Sequence, residues 1–599
     1  MLKVWDAYDR VMEISREEWR KKVLPGNFRN AWNKPDDLAN LISATLNDGF
    51  VADCLEPARQ LHRIDPQPNR GTLYLAVILL QLKQFDEAEK ILTATIQKHG
   101  EEGVLLTNLA KAYSGKGNAA IAEQTLWHAL ELDPNQDNGF GWYQAIFRER
   151  GGDEAADAAM RRVAALPGSW RPQLWLAREA LKARNSDGAM VFYQESLSRC
   201  GKPAPADLLM QISGDLGNAG HLPEILQLVE PHFDPAFHGL QVGNNLIKAH
   251  CDLGQLAAAR RILDQLYAQK RPDWKEHLSF WDAELTKARL STGQPEKPED
   301  LKYAMLAING PVWLDPASPA AELFPRPAAE RVSVAFVGST AEIATNSKRV
   351  QQQMSDTPGR MSRALPLFLA EQVEFNATTA VQTLIPWLAG ESPGFVFSGG
   401  VTPDDLAATY ARQGEIKNDY VVVTHLKPNQ EPWLVELRLV RTIDAKCLGA
   451  LTSSFPMAQP EEGIPTLARH LTDLLREQAE VELRPSQPLY QTPPAPWFAT
   501  YLLRLEQLLA VRCSGMEGVP KEFLTGAREI IDGNLQLCLQ FPQNVCVRVL
   551  FAQTLKSMKR VRADVLPEFK DRIALLQKEK PLAEPAQSVM QRLFNGVLS

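Results

Sequence analysis

A pattern of paired helices that recurs about every 34 residues is the feature that most constrains how this chain folds. Within residues 103–136, apolar residues follow helical spacing, Gly117-Asn118 interrupts the helix, and Asp133-Pro134 ends a second helix. Small residues such as Ala122 stand where two antiparallel helices must approach closely. Steps of the same length in both directions find similar segments, so the pattern predicts about seven stacked helix pairs over residues 35–270, closed by a helix over residues 274–290.

The segment 103–136 resembles the tetratricopeptide repeat (TPR), a helix-pair motif found in many bacterial proteins. The resemblance implies an α-helical TPR solenoid whose inner groove binds another protein or a peptide. In that family, repeat positions 2, 5, 9 and 12 line the groove. In repeats 2 and 3 the groove residues expected from this resemblance are Arg70, Val104, Thr107, Lys111 and Ser114. The signature positions themselves are Leu106, Leu109, Ala110, Tyr113, Ala122, Leu126, Ala129 and Pro134.

The balance of charge argues against several classes of partner. The chain has 65 Lys and Arg against 72 Asp and Glu, a net charge of −7, whereas nucleic-acid binders usually carry a basic excess. The mean hydropathy is −0.25 and no apolar run approaches the length of a membrane helix. The first residues lack the apolar core of a secretion signal. We therefore expect a cytoplasmic protein with neither a nucleic acid nor a membrane as its partner.

A second kind of pattern begins after a proline-punctuated stretch. Residues 331–478 alternate between strand and helix patterns in the order βαβαβββα, and the following residues return to helical spacing. The C-terminal segment is expected to be a TPR-like helical segment. The predicted domains are an N-terminal extension (1–34), the TPR solenoid (35–290), a Pro-rich linker (291–330), the α/β domain (331–478) and the C-terminal helical domain (479–599).

The α/β segment resembles the TolB amino-terminal domain and related CsgG-like modules. The resemblance rests on the element order and on the phrases Asp419-Tyr-Val-Val-Val and Leu437-Arg-Leu-Val-Arg-Thr-Ile-Asp444. It implies a module that docks against another protein or against itself, so self-association stays open. Since this kind of module recurs in unrelated settings, it does not identify a function.

Searches for catalytic and cofactor motifs predict no enzyme, no cofactor and no metal. The chain has no phosphate-binding loop, no His-Glu-x-x-His motif and no Gly-x-Ser-x-Gly elbow. Four histidines that lie close together in the sequence (His221, His232, His238 and His250) lack the i, i+4 spacing of a metal site. The seven cysteines have no zinc-binding spacing and are expected to be reduced and mostly buried.

One loop leaves an alternative open. Ligands of α/β sheets favour the loops at the carboxyl ends of strands, and the loop that follows the first strand of this domain is such a place. Its cations Lys348, Arg349 and Arg360 are candidates for holding a small anion there, and the alternative is that they belong to a solvated loop.

Tryptophans near consecutive repeats allow two interpretations. Trp127, Trp142, Trp170 and Trp175 are either core residues or exposed anchors for a peptide. The function predicted from the whole sequence is a non-enzymatic interaction scaffold within a multiprotein assembly. The alternatives are a cytoplasmic sensor that binds a small anion or nucleotide in the α/β domain, and an envelope or transport accessory protein.

Overall fold

A computed structural model describes residues 2–5, 8, 10–292, 302–325, 332–338, 341, 357–389, 394–396, 400–485, 487–519 and 523–598. The chain divides into two compact units, residues 1–274 and 275–599. None of the helices within these described ranges has an apolar stretch long enough to cross a bilayer.

The first unit opens with a small antiparallel hairpin in which β1 (Leu2–Trp5) pairs with β2 (Val11–Ile14). A short helix follows, because the Ser15 side chain accepts a hydrogen bond from the backbone N–H of Glu18 at 3.1 Å. The helical segment comprises α1 (Arg16–Glu18), a π-helical stretch (Trp19–Val23) and α2 (Leu24–Ala31).

Seven antiparallel helix pairs fill the rest of the first unit, all within its described residues. The fourth pair is a single long helix, α9, that bends at Gly151 and Gly152. The helices are α3 (Pro35–Asn47), α4 (Leu55–Ile64), α5 (Pro68–Gln81), α6 (Phe85–His99), α7 (Gly103–Gly115), α8 (Ala119–Leu132), α9 (Asp137–Ala164), α10 (Trp170–Lys182), α11 (Ser186–Arg199), α12 (Ala206–Asn218), α13 (Leu222–Leu228), α14 (Pro235–Asp252) and α15 (Leu256–Tyr267).

The turn inside most pairs takes the left-handed backbone conformation at one equivalent position. Gly117 has φ of 86°, and Lys83, at the same place in the preceding repeat, has φ of 59°. Glycine adopts this conformation without the steric cost that a side chain brings. The same position in other pairs is occupied by Gly49, Arg184, Gly220 and Gly254.

The second helix of most pairs packs through a small residue. Ala122 is 2% exposed, and its equivalents in other repeats are fully buried. An alanine at this position lets the two helices of a pair approach closely. These equivalents are Ala88, Ala156, Ala189 and Ala259.

The second unit begins earlier than the sequence pattern indicated, which corrects two expectations. The helix expected to close the repeats is α16 (Lys275–Thr292), and it belongs to the second unit, where Ser279 donates a hydrogen bond to Glu529 at 2.6 Å. The stretch expected to be a linker contains β3 (Lys302–Asn309), which pairs with a central strand. Prolines on its carboxyl side obscured this strand in the sequence.

A mixed seven-stranded sheet forms the centre of the second unit. Its strands run in the order β3–β5–β4–β7–β8–β9, with β6 also paired to β5. β4 is parallel to β5 and β7, and the other pairs are antiparallel. The elements after β3 are β4 (Val332–Val337), α17 (Thr357–Asn376), β5 (Thr379–Ala389), β6 (Gly394–Phe395), α18 (Asp404–Arg412), β7 (Tyr420–Lys427), β8 (Trp433–Arg441), β9 (Lys446–Phe455) and α19 (Ile464–Gln478).

Helices after the sheet pack against α17, so the sheet and the C-terminal helices share one unit. Arg363 of α17 and Glu506 are both buried and form an ion pair at 2.6 Å. The Pro-rich stretch before the sheet is also packed, since Trp313 is fully buried. The C-terminal helices are α20 (Phe498–Ser514), α21 (Ala527–Gln540), α22 (Val545–Val561), α23 (Lys570–Glu579) and α24 (Ala586–Leu598). A predominantly helical chain with paired-helix repeats and a mixed sheet is thus confirmed.

Candidate functional site

A cleft of about 500 Å³ lies between the second and third helix pairs, where α5 and α7 begin. It brings together two of the residues expected in the groove, Arg70 and Val104. Its apolar wall includes Leu73, and its polar rim includes Asn69 and Glu102. A mainly apolar recess with a few polar groups is the usual form of a recognition site.

Arg70 is held by carboxylates of its own chain. Its guanidinium donates to both oxygens of Asp65, at 2.8 and 2.9 Å, and to Asp36 of the first repeat at 2.7 Å. The Asp65 side chain is fully buried, and these two partners raise the pKa of Arg70. Arg70 therefore joins repeats 1 and 2 and shapes the cleft wall. The N–H groups that it donates to Asp65 and Asp36 are not available to a partner.

Asn69 supplies a polar group that the chain itself does not fully use. Its Nδ2 donates to Glu102 at 2.6 Å, which links repeats 2 and 3 across the cleft. Its Oδ1 has no hydrogen-bond partner within the described residues. A buried acceptor without a donor is costly, so Oδ1 is a polar cost of packing at the junction of repeats 2 and 3.

Val104 and Thr107 lie one helical turn apart on α7 and differ in exposure. Val104 is half-buried and lines the cleft. Thr107 is 2% exposed and donates its hydroxyl to Gln136 Oε1 at 2.8 Å. This bond holds the start of the next repeat, so Thr107 is a packing residue and not, as the repeat register suggested, a groove residue.

Lys111 and Ser114 follow on the same helix. Ser114 is exposed at the end of α7. Lys111 is half-buried and has no ion-pair partner in the described part of the chain, and burial lowers the pKa of its amino group. A half-buried ammonium group without a counter-charge is the cation on this helix that is most available to an acidic group of a partner.

Other charged residues on the first helices of the pairs tie repeats together. Arg171 of α10 contacts Asp207 and lies 3.4 Å from Asp137 of the preceding repeat. Farther along α10, Arg178 donates to Asp215 at 2.7 Å. These bridges between repeats stabilise the stacking of adjacent helix pairs. Arg171 and Arg178 are therefore engaged within the chain and are less available to a partner.

The loop considered for a small anion is only partly within the described residues. Lys348 and Arg349 lie outside them. Arg360 is half-buried in the first turn of α17. The pKa of Arg504 is lowered to about 10, mainly by burial and further by the charge of Arg360, although Asp532 opposes this. The described residues bring Arg360 near another cation and do not unite it with the other two predicted side chains.

The four tryptophans pack against the core. Trp170 is 8% exposed, and the other three are half-buried. Trp127, Trp142 and Trp175 pack against one cluster that contains Phe140. The core interpretation is the one that their burial supports.

Histidines of the first unit serve the backbone and neighbouring side chains. His238 is 5% exposed, and its Nε2 lies 2.8 Å from the carbonyl of Ala204. His250 is 3% exposed and lies 2.9 Å from Gln255. Among the residues that the structure describes, no three His, Cys, Asp or Glu side chains are placed to hold a metal ion.

Sequence reasoning missed the two residues that complete the cleft. Asn69 and Glu102 stand at the boundaries of repeats 2 and 3, close to expected groove positions. A small shift in the repeat register is the signal that would have found them. Their mutual hydrogen bond depends on how adjacent pairs stack, which the spacing does not specify.

Comparison with known proteins yields likenesses in solved structures alone. No family model matches the chain, and no curated protein matches it. A thermophilic TPR protein of Thermus thermophilus is 19% identical, with a TM-score of 0.21, over 30% of this chain and 98% of that chain. A tetratricopeptide repeat protein from Parabacteroides merdae is 15% identical, with a TM-score of 0.21, over 42% of this chain and 98% of that chain.

Human IFIT1, solved as a dimer with PPP-AAAA, is a further likeness. It is 18% identical, with a TM-score of 0.24, over 47% of this chain and 70% of that chain. TM-scores of this size carry no argument about function or partners. The TPR-like character of the first unit rests on its own seven helix pairs and their repeating turns.

Proposed function

We propose that this chain is a non-enzymatic interaction scaffold whose TPR-like helix pairs bind an extended segment of another protein. The cleft between repeats 2 and 3 is the observation that carries this proposal. It combines an apolar wall, formed by Leu73 and Val104, with a polar rim that includes Asn69 and Glu102. An extended peptide offers backbone polar groups to such a rim and an apolar side chain to such a wall.

The charge distribution suggests how the partner is oriented. Arg70 and Glu102 are engaged inside the protein, whereas Lys111 has no counter-charge within the described residues. Lys111 follows Val104 by two turns of α7. An acidic residue of the partner near Lys111, and an apolar one between Val104 and Leu73, would satisfy both places. The partner proposed here is therefore a segment that contains an acidic and an apolar residue.

The test uses a displayed library of random peptides selected on the purified chain, followed by titration of the enriched peptide by fluorescence anisotropy. Val104→Arg fills the cleft with a charge, and Lys111→Glu reverses the charge on the same helix. Each should weaken binding about tenfold or more, because like charges and a blocked recess both oppose the complex. Lys90→Glu is the matched control, since Lys90 is exposed on the second helix of repeat 2.

Equal binding by wild-type protein, Val104→Arg and Lys111→Glu would remove the cleft from the proposal. Loss of binding in Lys90→Glu as well would indicate a general effect of charge. The melting temperature of each variant is measured in parallel, because partial unfolding would also lower binding. The surface substitution Lys90→Glu should change stability by less than about 0.5 kcal/mol. Val104 and Lys111 are half-buried, so their melting temperatures decide whether lost binding reflects the cleft.

The same proposal includes membership in a multiprotein assembly, a cytoplasmic location and the absence of cofactors. It also includes the likeness of the sheet region to TolB and CsgG modules. The order of β4 to α19 supports the last of these. Within the described residues, we find no contact that favours the anion-sensor or envelope alternatives over the scaffold.

A further inference from the structure

Strand β9 forms one edge of the mixed sheet. It pairs with β8 along its length, from Lys446 opposite Arg441 to Phe455 opposite Trp433. On its other side, no strand of the described residues pairs with it. An edge of this kind presents a row of backbone N–H and C=O groups that can pair with another strand.

The composition of this edge does not discourage pairing. From Cys447 to Phe455 the strand contains no charged residue and no proline, and Lys446 is its one charge. Natural edge strands are usually protected by charges, prolines or shortness. Ala450, Thr452 and Ser454 are exposed along it. β9 therefore has the properties of an edge strand that can pair with a further strand.

We propose that β9 pairs antiparallel with β9 of a second copy of this chain, about a two-fold axis near Ala450. An antiparallel pair is self-complementary, because both strands offer the same donors and acceptors in reversed order. Such pairing closes after two copies. It also places Lys446 of one copy opposite the uncharged Ser454 of the other, so the two lysines stay apart.

Two exposed apolar residues support a second copy as the occupant. Ile443 is 74% exposed in the turn before β9, and Met457 is 48% exposed just after it. Ile443 lies in the hairpin turn at one end of β9 and Met457 lies just past the other end, so antiparallel pairing places the Ile443 end of one copy beside the Met457 end of the other. Contact between them removes apolar surface from water in the same step that pairs the strands.

Charges beside the edge do not oppose this arrangement. On the partly exposed face of β8, Glu436 lies 2.8 Å from Lys427, and Arg438 lies 3.1 Å from Asp404. These pairs neutralise one another within each copy. The charges on this face of β8 therefore bring no unpaired like charges together when two copies approach along β9.

The test is a charge exchange at the centre of the proposed pair, measured on the full chain by light scattering across a concentration series. Wild-type protein should have twice the mass of one chain. Ala450→Lys and Ala450→Glu should each raise the dimer dissociation constant about fivefold or more, because identical charges then face each other across the axis. An equimolar mixture of the two variants should recover the dimer, since opposite charges now meet.

The control is Ala583→Lys, which adds the same charge at an exposed position outside β9 and should leave the dimer unchanged. Ala450→Glu keeps the test valid if Ala450→Lys folds poorly, since Ala450 is opposite Arg438 in the sheet. A monomeric wild-type chain would overturn the proposal. So would a dimer that both variants retain, or open-ended growth with concentration, which would indicate pairing of two different edges.

Discussion

The indole Nε1 of Trp313 lies 2.8 Å from Oε2 of Glu371, and both side chains are fully buried in the second unit. The other carboxylate oxygen of Glu371 accepts hydrogen bonds from Tyr501 at 2.6 Å and from Tyr490 at 2.8 Å. One carboxyl group thus connects the Pro-rich stretch before the sheet, helix α17 and the segment that leads into the C-terminal helices. Burial raises its pKa to about 7, although the three donors act in the opposite direction.

This raised pKa predicts a stability that falls as pH increases. The folded chain retains a proton on Glu371 up to about pH 7, whereas the unfolded chain releases it near 4.5. The contribution of this proton to the free energy of unfolding is therefore fully present below pH 4.5. It is lost as pH rises through 7, and the total loss is on the order of 3 kcal/mol. Thermal melts of wild type and Glu371→Gln between pH 5 and 8 check this. The difference between the two profiles isolates Glu371, and parallel profiles would contradict the prediction.

The buried ion pair of Arg363 and Glu506 predicts a strong effect of a single substitution. Glu506→Ala should destabilise the second unit by about 3–5 kcal/mol, because the buried guanidinium loses its carboxylate. The double variant Arg363→Met with Glu506→Leu should recover most of this loss. Urea unfolding of the three proteins measures the effect. If the single and double variants lose equal stability, packing and not charge dominates at this position.

The left-handed turn in repeat 3 predicts opposite signs for two glycine substitutions. Gly117→Ala should cost about 1 kcal/mol, because Gly117 has φ of 86°. Gly141→Ala should stabilise by up to about 1 kcal/mol, since Gly141 lies inside α9 and an added Cβ meets no atom within 4 Å. The melting temperatures of the two variants should move in opposite directions. An unchanged or higher melting temperature for Gly117→Ala would show that the turn does not require glycine.

The contact between paired helices predicts a large effect of overpacking in repeat 3. Ala122→Trp should destabilise the first unit by about 1–3 kcal/mol or more, because Ala122 is 2% exposed where α8 packs. Ala120→Trp, at an exposed position of the same helix, is the matched control and should have little effect. Chemical unfolding followed by circular dichroism compares them. An unchanged midpoint for Ala122→Trp would mean that the repeat register is wrong.

Local sequence signals determined most of the secondary structure. The helical period, the turn residues and the buried alanines of the repeats follow from contacts between neighbours in the chain. The order of strands and helices from β4 to α19 follows the predicted order, with the short β6 as an addition. Such elements are specified by residues that are close in sequence, so spacing alone reveals them.

Tertiary packing decided what the spacing could not. β3 is a strand because β5, which lies much later in the sequence, offers it a partner, and α16 joins the second unit through contacts with helices near the end of the chain. Arg70 is engaged because Asp36 of the neighbouring repeat accepts a hydrogen bond from it. Thr107 is also engaged, because Gln136 accepts a hydrogen bond from its hydroxyl group. The physical reason is the same in each case. The partner of a side chain on a neighbouring helix or strand depends on how whole elements pack. A periodic sequence pattern does not specify that packing.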